Sequence, residues 1–438
     1  MQGPGTRDQG PGNDRREPRR VLLCATTTGY QTRSFDEAAA ALGVELVLAT
    51  DRCDHLDDPW RDRAVAVRFH DEAASVAAVI TALGARPVNG VLAVGDRPVV
   101  LAALVAERLG LPWHEVEGAR ASRDKQRFRQ RVAAAGLPSP WMRVVPVDAP
   151  PADLGDVPFP CVVKPLVLSG SRGVIRADDR AQLAAALTRV AAILASPDVQ
   201  ALRDPAAALV QIEAFVAGFE VALEGVLDHG RLQVLAIFDK PEVLDGPYFE
   251  ETYYVTPTAR ADAAALPVIA AVSQAARAAG LRHGPVHAEC RVGPAGVVVL
   301  EVAARPIGGL CARALRFDGP DAAGASLESL LLRAALGESL IGWRRETAAA
   351  GVLMVPIPRS GVLREVRGVE AARQVTGISD VAVTAKPDQR VDALPEGASY
   401  LGFAFARGDD GAAVEAALRA AHARLEIVID PAIAVTRR

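Results

Sequence analysis

Cysteine is scarce in this sequence, and the cysteines that are present are not paired. The chain has 438 residues and five cysteines, with no CxxC motif and no two cysteines close together. This pattern argues against a disulfide scaffold and against a structural zinc site. Scattered thiols fit a reducing compartment best, so we expect a cytoplasmic protein. The five residues are Cys24, Cys53, Cys161, Cys290 and Cys311.

The sequence also lacks an excess of charge and a long hydrophobic run. Lysine and arginine total 49 against 53 acidic residues, a formal net charge of −4, so neither nucleic acid nor an anionic membrane is expected as a partner. The apolar run at 21–25 is too short for a signal peptide or a membrane span. The Gly/Pro/Arg-rich segment at 1–18 predicts a disordered, solvated tail, although its arginines could instead contact an acidic partner.

What the sequence does contain is ample material for a folded core. Half of its residues are hydrophobic and 23% are charged, a composition that can bury enough apolar surface to offset the entropy of ordering. Its length allows about three domains. We therefore expect a globular protein with a local binding site.

Strand and helix patterns alternate in the first part of the chain. Short apolar runs such as VLLCAT and VELVLAT are separated by Ala-rich helical segments, which predicts a parallel sheet covered by helices over residues 19–117. The turn CATTTGY after the first run is not GxGxxG, so the dinucleotide-binding fingerprint is absent. This part is predicted to be a small α/β domain.

The rest of the chain is richer in strand patterns. A helix is predicted to begin after Ser122 as its N-cap and to end before Gly136. A Pro-rich connector over 138–158 predicts a hinge before the strand-rich part. The segment from about Gly351 has short strand patterns and one terminal helix pattern, and is predicted to be a separate α+β cap.

Two glutamates are predicted to face each other on a β-hairpin. The turn GPAG separates two strand patterns, and a three-residue loop with Pro first and Gly last is a common hairpin solution. That loop predicts three pairs: Gly293 with Val297, Arg291 with Val299, and Glu289 with Glu301.

Like charges opposite each other on a sheet are destabilising, so this pair needs a reason. A hard divalent cation held by oxygen ligands is the simplest, and Mg²⁺, which uses one or two carboxylates plus substrate phosphates, fits it. The pair therefore suggests a nearby nucleotide phosphate. The alternative is a two-residue loop, which would send the two side chains to opposite faces.

Two basic residues at strand ends could bind anions. Arg305 ends the strand pattern in EVAARPIGG, where a guanidinium could grip a phosphate or carboxylate, or it could be a surface arginine. Lys164 ends CVVK and precedes PLVLSGSRG. Such a loop lets backbone N–H groups and hydroxyls approach phosphate oxygens. It is not a Walker A sequence, and an ordinary turn would look the same.

Two further segments are weaker candidates. Lys125 lies in the first turn of a basic helix pattern, which could simply be a solvated face. The segment IEAFVAGFE runs from Glu213 to Glu220 and could offer main-chain hydrogen bonds to a flat base, or could be a corner between two strands.

In order along the chain stand a lysine in DKQRFRQRVAAAGLPSP, a lysine in CVVKP, the loop SGSRG, the hinge EAFVAGFE, then HAECRV and LEVAARPIGG. This order resembles the ATP-grasp superfamily of carboxylate ligases from about Val21 to the C-terminal cap. The resemblance implies that Glu289 and Glu301 bind the metal, that Arg305 and Lys164 act in catalysis, and that Glu220 holds the ribose. It assigns the rest of the nucleotide site to Lys125, Lys164, Ser169, Gly170, Ser171, Gly173, Glu213, Ala214, Phe215 and Val216.

The resemblance also implies the architecture. It predicts an α/β and α+β protein of ATP-grasp fold, with a Rossmann-like pre-ATP-grasp domain at 19–117, an ATP-grasp domain at 118–345 and a C-terminal cap at 346–438. The lid subdomain is expected over about 155–212, with the loop at 166–173 closing over the phosphates. Many members have an Asn two residues after the second metal glutamate, where this chain has Ala303, so a second metal ion would lack that ligand.

EVAAR, the C-terminal cap and the segment GPYFEETYYVTP look similar to the bacterial L-amino-acid (dipeptide) ligases. This implies an ATP-dependent carboxylate–amine ligase that joins small amino-acid-like substrates through an acyl-phosphate, using ATP and Mg²⁺ or Mn²⁺. A homodimer is the expected assembly. Two alternatives remain: a carboxylase of biotin-carboxylase type, although the chain has no AMKM-type biotin attachment site, and a non-catalytic ATP-binding module.

Overall fold

The computed structural model describes residues 18–26, 31–52, 64–259 and 265–431. The predicted tail at 1–18 falls almost wholly outside these residues, as does Cys53. Within the described ranges, no helix is long and apolar enough to cross a membrane.

The N-terminal domain is built on a four-stranded parallel sheet of order β3-β2-β1-β4. Strand β1, an apolar run that is buried from its second residue onward, lies inside the sheet between two neighbours. The predicted parallel α/β arrangement is confirmed. The strands are β1 Arg20–Ala25, β2 Glu45–Thr50, β3 Val65–Ala66 and β4 Gly90–Val94, and the helices are α1 Thr32–Leu42, α2 Glu72–Leu83 and α3 Val99–Leu109.

The basic segment forms two helices rather than one. Helix α4 spans Val116–Arg123 and α5 spans Lys125–Ala134. The prediction of Ser122 as N-cap is wrong, because Ser122 lies in the last turn of α4 and its hydroxyl donates to the Ala119 carbonyl at 2.9 Å. Asp124 is the cap, accepting from the N–H groups of Gln126 and Arg127. A carboxylate satisfies the open N–H groups of a helix start as well as a serine does.

The segment predicted as the lid, extended at both ends, forms a four-stranded antiparallel sheet of order β5-β8-β6-β7, packed on helix α6 around its own apolar core. Because this core is separate from that of the main body, the lid is a distinct packing unit. The elements are β5 Met142–Pro146, β6 Cys161–Pro165, β7 Ile175–Ala177, α6 Arg180–Leu194, α7 Pro197–Gln200 and β8 Leu209–Ala214.

The main body is formed by an eight-stranded sheet of order β13-β12-β9-β10-β11-β16-β20-β18, with a small sheet of order β19-β17-β21 beyond it and the two-stranded pair β14-β15. The first half of the strands is β9 Phe219–Asp228, β10 Arg231–Lys240, β11 Tyr253–Thr256, β12 Gly284–Gly293, β13 Gly296–Ala303, β14 Phe317–Asp318 and β15 Arg344–Arg345. The second half is β16 Ala349–Val355, β17 Gly361–Arg367, β18 Ile378–Val383, β19 Arg390–Val391, β20 Gly402–Gly408 and β21 Glu426–Asp430. The helices are α8 Ala265–Ala279, α9 Leu327–Ala335, α10 Val369–Arg373 and α11 Gly411–His422.

The C-terminal segment is joined to the main body through this sheet. Strands β16, β18 and β20 continue the strand order that begins with β13 and β12. The segment predicted to be a separate cap therefore shares a sheet with the central domain, although it has its own apolar cluster. The domain boundaries at 118 and 346 stay predictions.

Candidate active site

A cavity of about 910 Å³ lies between the N-terminal domain, the lid and the large sheet. It brings together most of the residues selected from the sequence. Those lining it are Lys125, Lys164, Ser169, Gly170, Ser171, Glu213, Phe215, Val216, Glu220, Glu289, Glu301 and Arg305.

Two selected residues, Gly173 and Ala214, do not line the cavity. The N–H of Gly173 donates to the Pro395 carbonyl at 2.9 Å, and a Cβ at Gly173 would lie 2.6 Å from Pro165 Cγ. This glycine is required by close packing and by its φ of 72°. The N–H of Ala214 donates to the Trp141 carbonyl. Because neither residue lines the cavity, their predicted contacts with the nucleotide stay predictions.

The β12–β13 hairpin pairs Glu289 with Glu301, but by a route other than the one predicted. The loop has two residues, so Gly293 pairs with Gly296 and Arg291 pairs with Val298. The predicted pairs of Gly293 with Val297 and Arg291 with Val299 are therefore wrong. A register shift between Glu289 and Cys290 corrects the offset, because a bulge places two residues of one strand opposite one residue of its neighbour.

The two glutamates have different surroundings. Glu289 Oε1 lies 3.1 Å from Lys240 Nζ and 3.6 Å from His287 Nε2. Burial would raise the pKa of Glu289, but Lys240 and His287 together outweigh it and lower that pKa well below its usual value. Burial and the charge of Glu289 instead raise the pKa of Glu301. No basic side chain of the described residues lies within ion-pair distance of Glu301.

His287 adds a second positive charge beside Glu289. Its Nδ1 lies 3.1 Å from Glu224 Oε2, and Glu224 also accepts from the N–H of Ile307 at 3.2 Å. Burial would lower the pKa of His287, but hydrogen bonds to Glu224 and Glu289 raise it to about 9. The imidazole is therefore protonated at neutral pH.

A buried lysine that sequence reasoning left without a role organises three acids. Lys240 Nζ lies 2.6 Å from Glu220 and 2.5 Å from Glu251, in addition to its contact with Glu289. Burial and the charge of Glu289 raise the pKa of Glu251 to about 7. Only four of the 49 basic residues are lysines, and three of them, Lys125, Lys164 and Lys240, lie at this site. That scarcity was the sequence signal that could have singled out Lys240.

Glu220, predicted to hold the ribose, is anchored from two sides. Its second oxygen accepts from Arg291 Nε at 3.2 Å, opposite the oxygen held by Lys240. Arg291 also donates to the carbonyl of Val216 at 3.1 Å. The carboxylate is thus fixed beside the hinge, where it lines the cavity.

Four polar side chains satisfy one another where α5 meets the lid sheet. We call them the lid-side cluster: Arg129 from α5, Lys164 from β6, and Gln211 and Glu213 from β8. Glu213 forms an ion pair with Lys164 and accepts from Arg129 at 3.2 Å and from Gln211 at 2.9 Å. Burial would raise the pKa of Glu213, but Lys164 and Arg129 together lower it to about 2. Glu213 is therefore charged and fully compensated without a ligand.

Lys125 begins α5 and reaches toward the glycine loop of the lid. Its Nζ donates to the Leu168 carbonyl at 2.6 Å. Burial lowers the pKa of Lys125, although the Glu301 carboxylate opposes this shift. The helix start thus places a cation near both the loop and the Glu301 carboxylate.

Arg305 is held by an acid that the sequence did not reveal. Arg305 Nε donates to Asp96 Oδ1 at 2.8 Å and a terminal nitrogen donates to Oδ2 at 3.3 Å. Asp96 follows β4, so the N-terminal domain fixes a guanidinium of the central domain. Burial would raise the pKa of Asp96, but Arg305 outweighs it and lowers that pKa. Such a two-point contact fixes the plane of the guanidinium.

Aromatic and cationic side chains pack together at the predicted hinge. Phe215 stacks with Phe249 at 6.4 Å between centroids, and the guanidinium of Arg291 lies 5.1 Å from the Phe215 ring. The N–H of Phe215 already donates to the Pro160 carbonyl. Within the described ranges the Val216 N–H has no acceptor, so it remains available to a ligand.

The lid also contacts the C-terminal cap. Arg172 Nε donates to the Glu396 carbonyl at 2.7 Å, and the Glu396 carboxylate accepts from Arg189 at 2.6 and 2.9 Å. These contacts hold the glycine loop over the cavity. They connect a predicted lid to a predicted cap, which sequence patterns alone did not suggest.

Comparison with known protein families matches three successive parts of the chain. The ATP-grasp N-terminal domain matches residues 36–113, the ATP-grasp domain matches 157–314, and the L-amino acid ligase C-terminal domain 2 matches 353–430. Together they follow the domain order predicted from the sequence.

Two curated relatives align with part of the chain. The protein y4rH of Sinorhizobium fredii, described as uncharacterized, is 26% identical over 310 residues, covering 68% of this chain and 60% of that protein. The alanine–anticapsin ligase of Bacillus subtilis is 27% identical over 202 residues, covering 43% of this chain and 42% of the ligase. The chain thus aligns with less than two thirds of the length of either curated relative.

A solved structure matches nearly the whole chain. The crystal structure of L-amino acid ligase from Bacillus licheniformis has a TM-score of 0.79 and 25% identity, covering 95% of this chain and 100% of that one. The structural match over the whole chain and the order of the three matched domains both indicate the same architecture. The chain therefore contains an ATP-grasp N-terminal domain, an ATP-grasp domain and an L-amino acid ligase C-terminal domain, in that order.

Proposed function

We propose that the protein is an ATP-dependent carboxylate–amine ligase that joins two small amino-acid-like substrates. The observation that carries this proposal is the pairing of Glu289 with Glu301 in a cavity also lined by Lys125, Lys164 and Arg305. The similarity to an L-amino acid ligase over 95% of the chain supports the choice of substrate class.

The chemistry of the donor set fits a divalent metal. Glu301 is a half-buried acid beside a second carboxylate, with no basic side chain of the described residues at ion-pair distance. A hard cation such as Mg²⁺, or Mn²⁺, bound by Glu289 and Glu301 would neutralise the phosphate oxygens of ATP during transfer. Ala303 offers no ligand for a second ion.

The nucleotide is proposed to lie along the hinge. The adenine would fit beside Phe215 and accept from the Val216 N–H, with the ribose at Glu220. The glycine loop, Lys125 and Lys164 would surround the phosphates, since backbone N–H groups and ammonium groups are common phosphate ligands.

Two steps follow from the reactivity of a carboxylate, which is a poor electrophile. A carboxylate oxygen attacks the γ-phosphorus of ATP, the bond to the ADP oxygen breaks, and an acyl-phosphate forms. The amine nitrogen then attacks the acyl carbon, the C–O bond to phosphate breaks, and the nitrogen loses a proton. Arg305, held flat by Asp96, stabilises the charge that develops on the transferred phosphoryl group.

Closure of the lid protects the acyl-phosphate from water. The loop at 166–173 covers the cavity, and the contacts of Arg172 and Arg189 with Glu396 hold it there. Exclusion of water favours attack by the amine over hydrolysis. The glycine loop is thus proposed to act as a lid.

The setting of the reaction is also proposed. The four described cysteines have free, buried thiols, which supports a reducing compartment such as the cytoplasm. A homodimer stays the proposed assembly.

A phosphate-release screen over pairs of amino acids tests the proposal. We expect ADP and phosphate only when an acid and an amine are both present, with the amide product detected by mass spectrometry. Bicarbonate alone is the control for a carboxylase. Release that depends on bicarbonate, or ATP binding with no release on a broad panel, would reject the ligase.

A further inference from the structure

A group of metal-ligand side chains lies away from the cavity, at the far ends of two strands that also carry active-site acids. Asp228 ends β9, His229 follows it in the turn to β10, and His283 immediately precedes β12. None of the three lines the cavity. Glu220 and Asp228 lie near opposite ends of β9. At about 3.3 Å per residue they are about 26 Å apart along the strand.

Strand pairing explains why these residues meet. Gly284 pairs with Leu227 in the antiparallel β9–β12 ladder, so His283 and Asp228 are the next facing positions. Asp228 also pairs with Arg231 across a two-residue turn. The two turn residues, His229 and Gly230, have φ of 47° and 84°, as a type I′ turn requires. This turn brings His229 back beside the strand end.

The distances fit a tetrahedral metal ion. Asp228 Oδ1 lies 3.7 Å from His229 Nε2 and 3.5 Å from His283 Nδ1. The ligand atoms of all three residues lie within 4.8 Å of one another. Bonds of about 2.0–2.2 Å to Zn²⁺ separate tetrahedral ligand atoms by about 3.3–3.6 Å. The two spacings from Asp228 to the histidines are therefore close to those of a formed site.

His283 has an acceptor that is otherwise unused. Its Nδ1 is buried and has no hydrogen-bond partner in the described part of the chain. A metal ion could take the lone pair of this nitrogen. Asp228 and His229 are 71% and 82% exposed, which leaves the site open to solvent and to a further ligand.

The surroundings hold His283 in place. The Arg282 N–H donates to His114 Nδ1 at 3.3 Å, and His114 Nε2 lies 3.1 Å from the Pro285 carbonyl. The guanidinium of Arg282 forms an ion pair with Glu115 at 2.6 Å. The Gly230 N–H donates to the Arg282 carbonyl at 2.7 Å, which joins the turn to the segment that carries His283.

We propose that Asp228, His229 and His283 form a second metal site, which binds one divalent transition-metal ion such as Zn²⁺. Imidazole nitrogen with one carboxylate suits Zn²⁺, Co²⁺ and Ni²⁺, whereas Mg²⁺ prefers oxygen ligands. The ion would clip the β9–β10 turn to the start of β12 and stabilise the folded state, since it binds the native chain.

Titration of the untagged, chelator-treated protein with Co²⁺ in excess Mg²⁺ tests this site. We expect one equivalent to bind with the visible absorption of tetrahedral Co²⁺, and Zn²⁺ to displace it. His229→Asn keeps a residue that tolerates the turn geometry, and should weaken binding at least about 10-fold. His283→Gln should do the same. His70→Ala, which changes an exposed histidine elsewhere, is the matched control and should bind as the wild type does.

The same variants separate this proposal from the proposed ligase activity. Zn²⁺ should raise the melting temperature of the wild type and of His70→Ala, but not that of His229→Asn. Absence of a tetrahedral spectrum in the wild type overturns the site. Binding that survives both His229→Asn and His283→Gln also overturns it. Neither result bears on whether ATP is turned over at the distant cavity.

Discussion

The two sides of the cavity differ in how the charges of their carboxylates are compensated. In the lid-side cluster, Glu213 is satisfied by Lys164, Arg129 and Gln211. On the sheet side, Glu301 faces Glu289 with no basic side chain of the described residues at ion-pair distance. An acid whose charge is compensated within the fold contributes to stability, whereas an uncompensated one is available to a cation brought by the substrate.

The largest expected effect is on activity at the sheet side. Glu301→Gln removes one of the two proposed metal ligands and should lower ligase turnover about 10³-fold or more, because several kcal/mol of charge stabilisation are lost. The melting temperature should stay equal or rise, since a like-charge contact is removed. Coupled ADP detection and a thermal melt measure both. Glu107→Gln on the exposed face of α3 is the control, and a turnover loss there as large as that of Glu301→Gln would contradict the comparison.

A substitution in the lid-side cluster should change the stability of the fold rather than the chemistry. Glu213→Gln leaves Lys164 and Arg129 without their buried carboxylate, which should lower the opening free energy of β6 and β8 by about 3 kcal/mol. Hydrogen–deuterium exchange of peptides from these strands measures this value. Unchanged protection would mean that Glu213, like Glu301, is not needed to hold the apo fold together.

The pH dependence of that loss sharpens the comparison. The pKa of Glu213 is lowered from 4.5 to about 2 in the folded protein, so its charge stabilises the fold at pH values above 4.5. This contribution is lost as the pH falls from 4.5 to about 2. The stability difference between wild type and Glu213→Gln should therefore shrink over that range in chemical denaturation. A difference that is constant with pH would show that charge is not its cause.

Asp96 links the sheet side to the N-terminal domain. Asp96→Asn should reduce turnover about 10-fold with little change in the KM for ATP, because Arg305 keeps its charge but loses its two-point anchor. Steady-state kinetics separate the change in turnover from the change in KM, and Asp96→Glu should restore part of the rate. A rise in KM with unchanged turnover would instead assign Asp96 to ground-state binding.

The smallest effect is expected at the contact of the lid with the cap. Arg189 and Glu396 are 42% and 41% exposed, and exposed ion pairs contribute only about 0–1 kcal/mol. Glu396→Gln should therefore raise the KM for ATP by no more than about 5-fold, and less at high salt. A loss of turnover as large as that of Glu301→Gln would make this contact part of the catalytic machinery.

The sequence predicted the elements whose patterns are long and local. The strands β1 and β2 and the strands around Lys164 and Glu301 have apolar patterns that are clear enough to predict them directly. The Glu289–Glu301 pair was predicted as well, but from a loop of the wrong length, which the bulge in the hairpin compensates.

What the sequence could not show depends on contacts between distant segments. Asp96 and Arg305 are 209 residues apart, and no local pattern marks them as partners. The contacts of Lys240 with Glu220 and Glu289 require strands β9, β10 and β12 to be neighbours in the large sheet. Strand order is a property of the whole chain, so those contacts became visible only in the structure.

The central claim is that a carboxylate is activated by phosphoryl transfer in this cavity. It is tested most directly with an amino acid whose carboxylate carries ¹⁸O, incubated with ATP, Mg²⁺ and an amine substrate found in the screen. If an acyl-phosphate forms, the phosphate released should contain one ¹⁸O atom, because the carboxylate oxygen leaves with phosphorus. Amide product accompanied by phosphate without ¹⁸O would contradict the account.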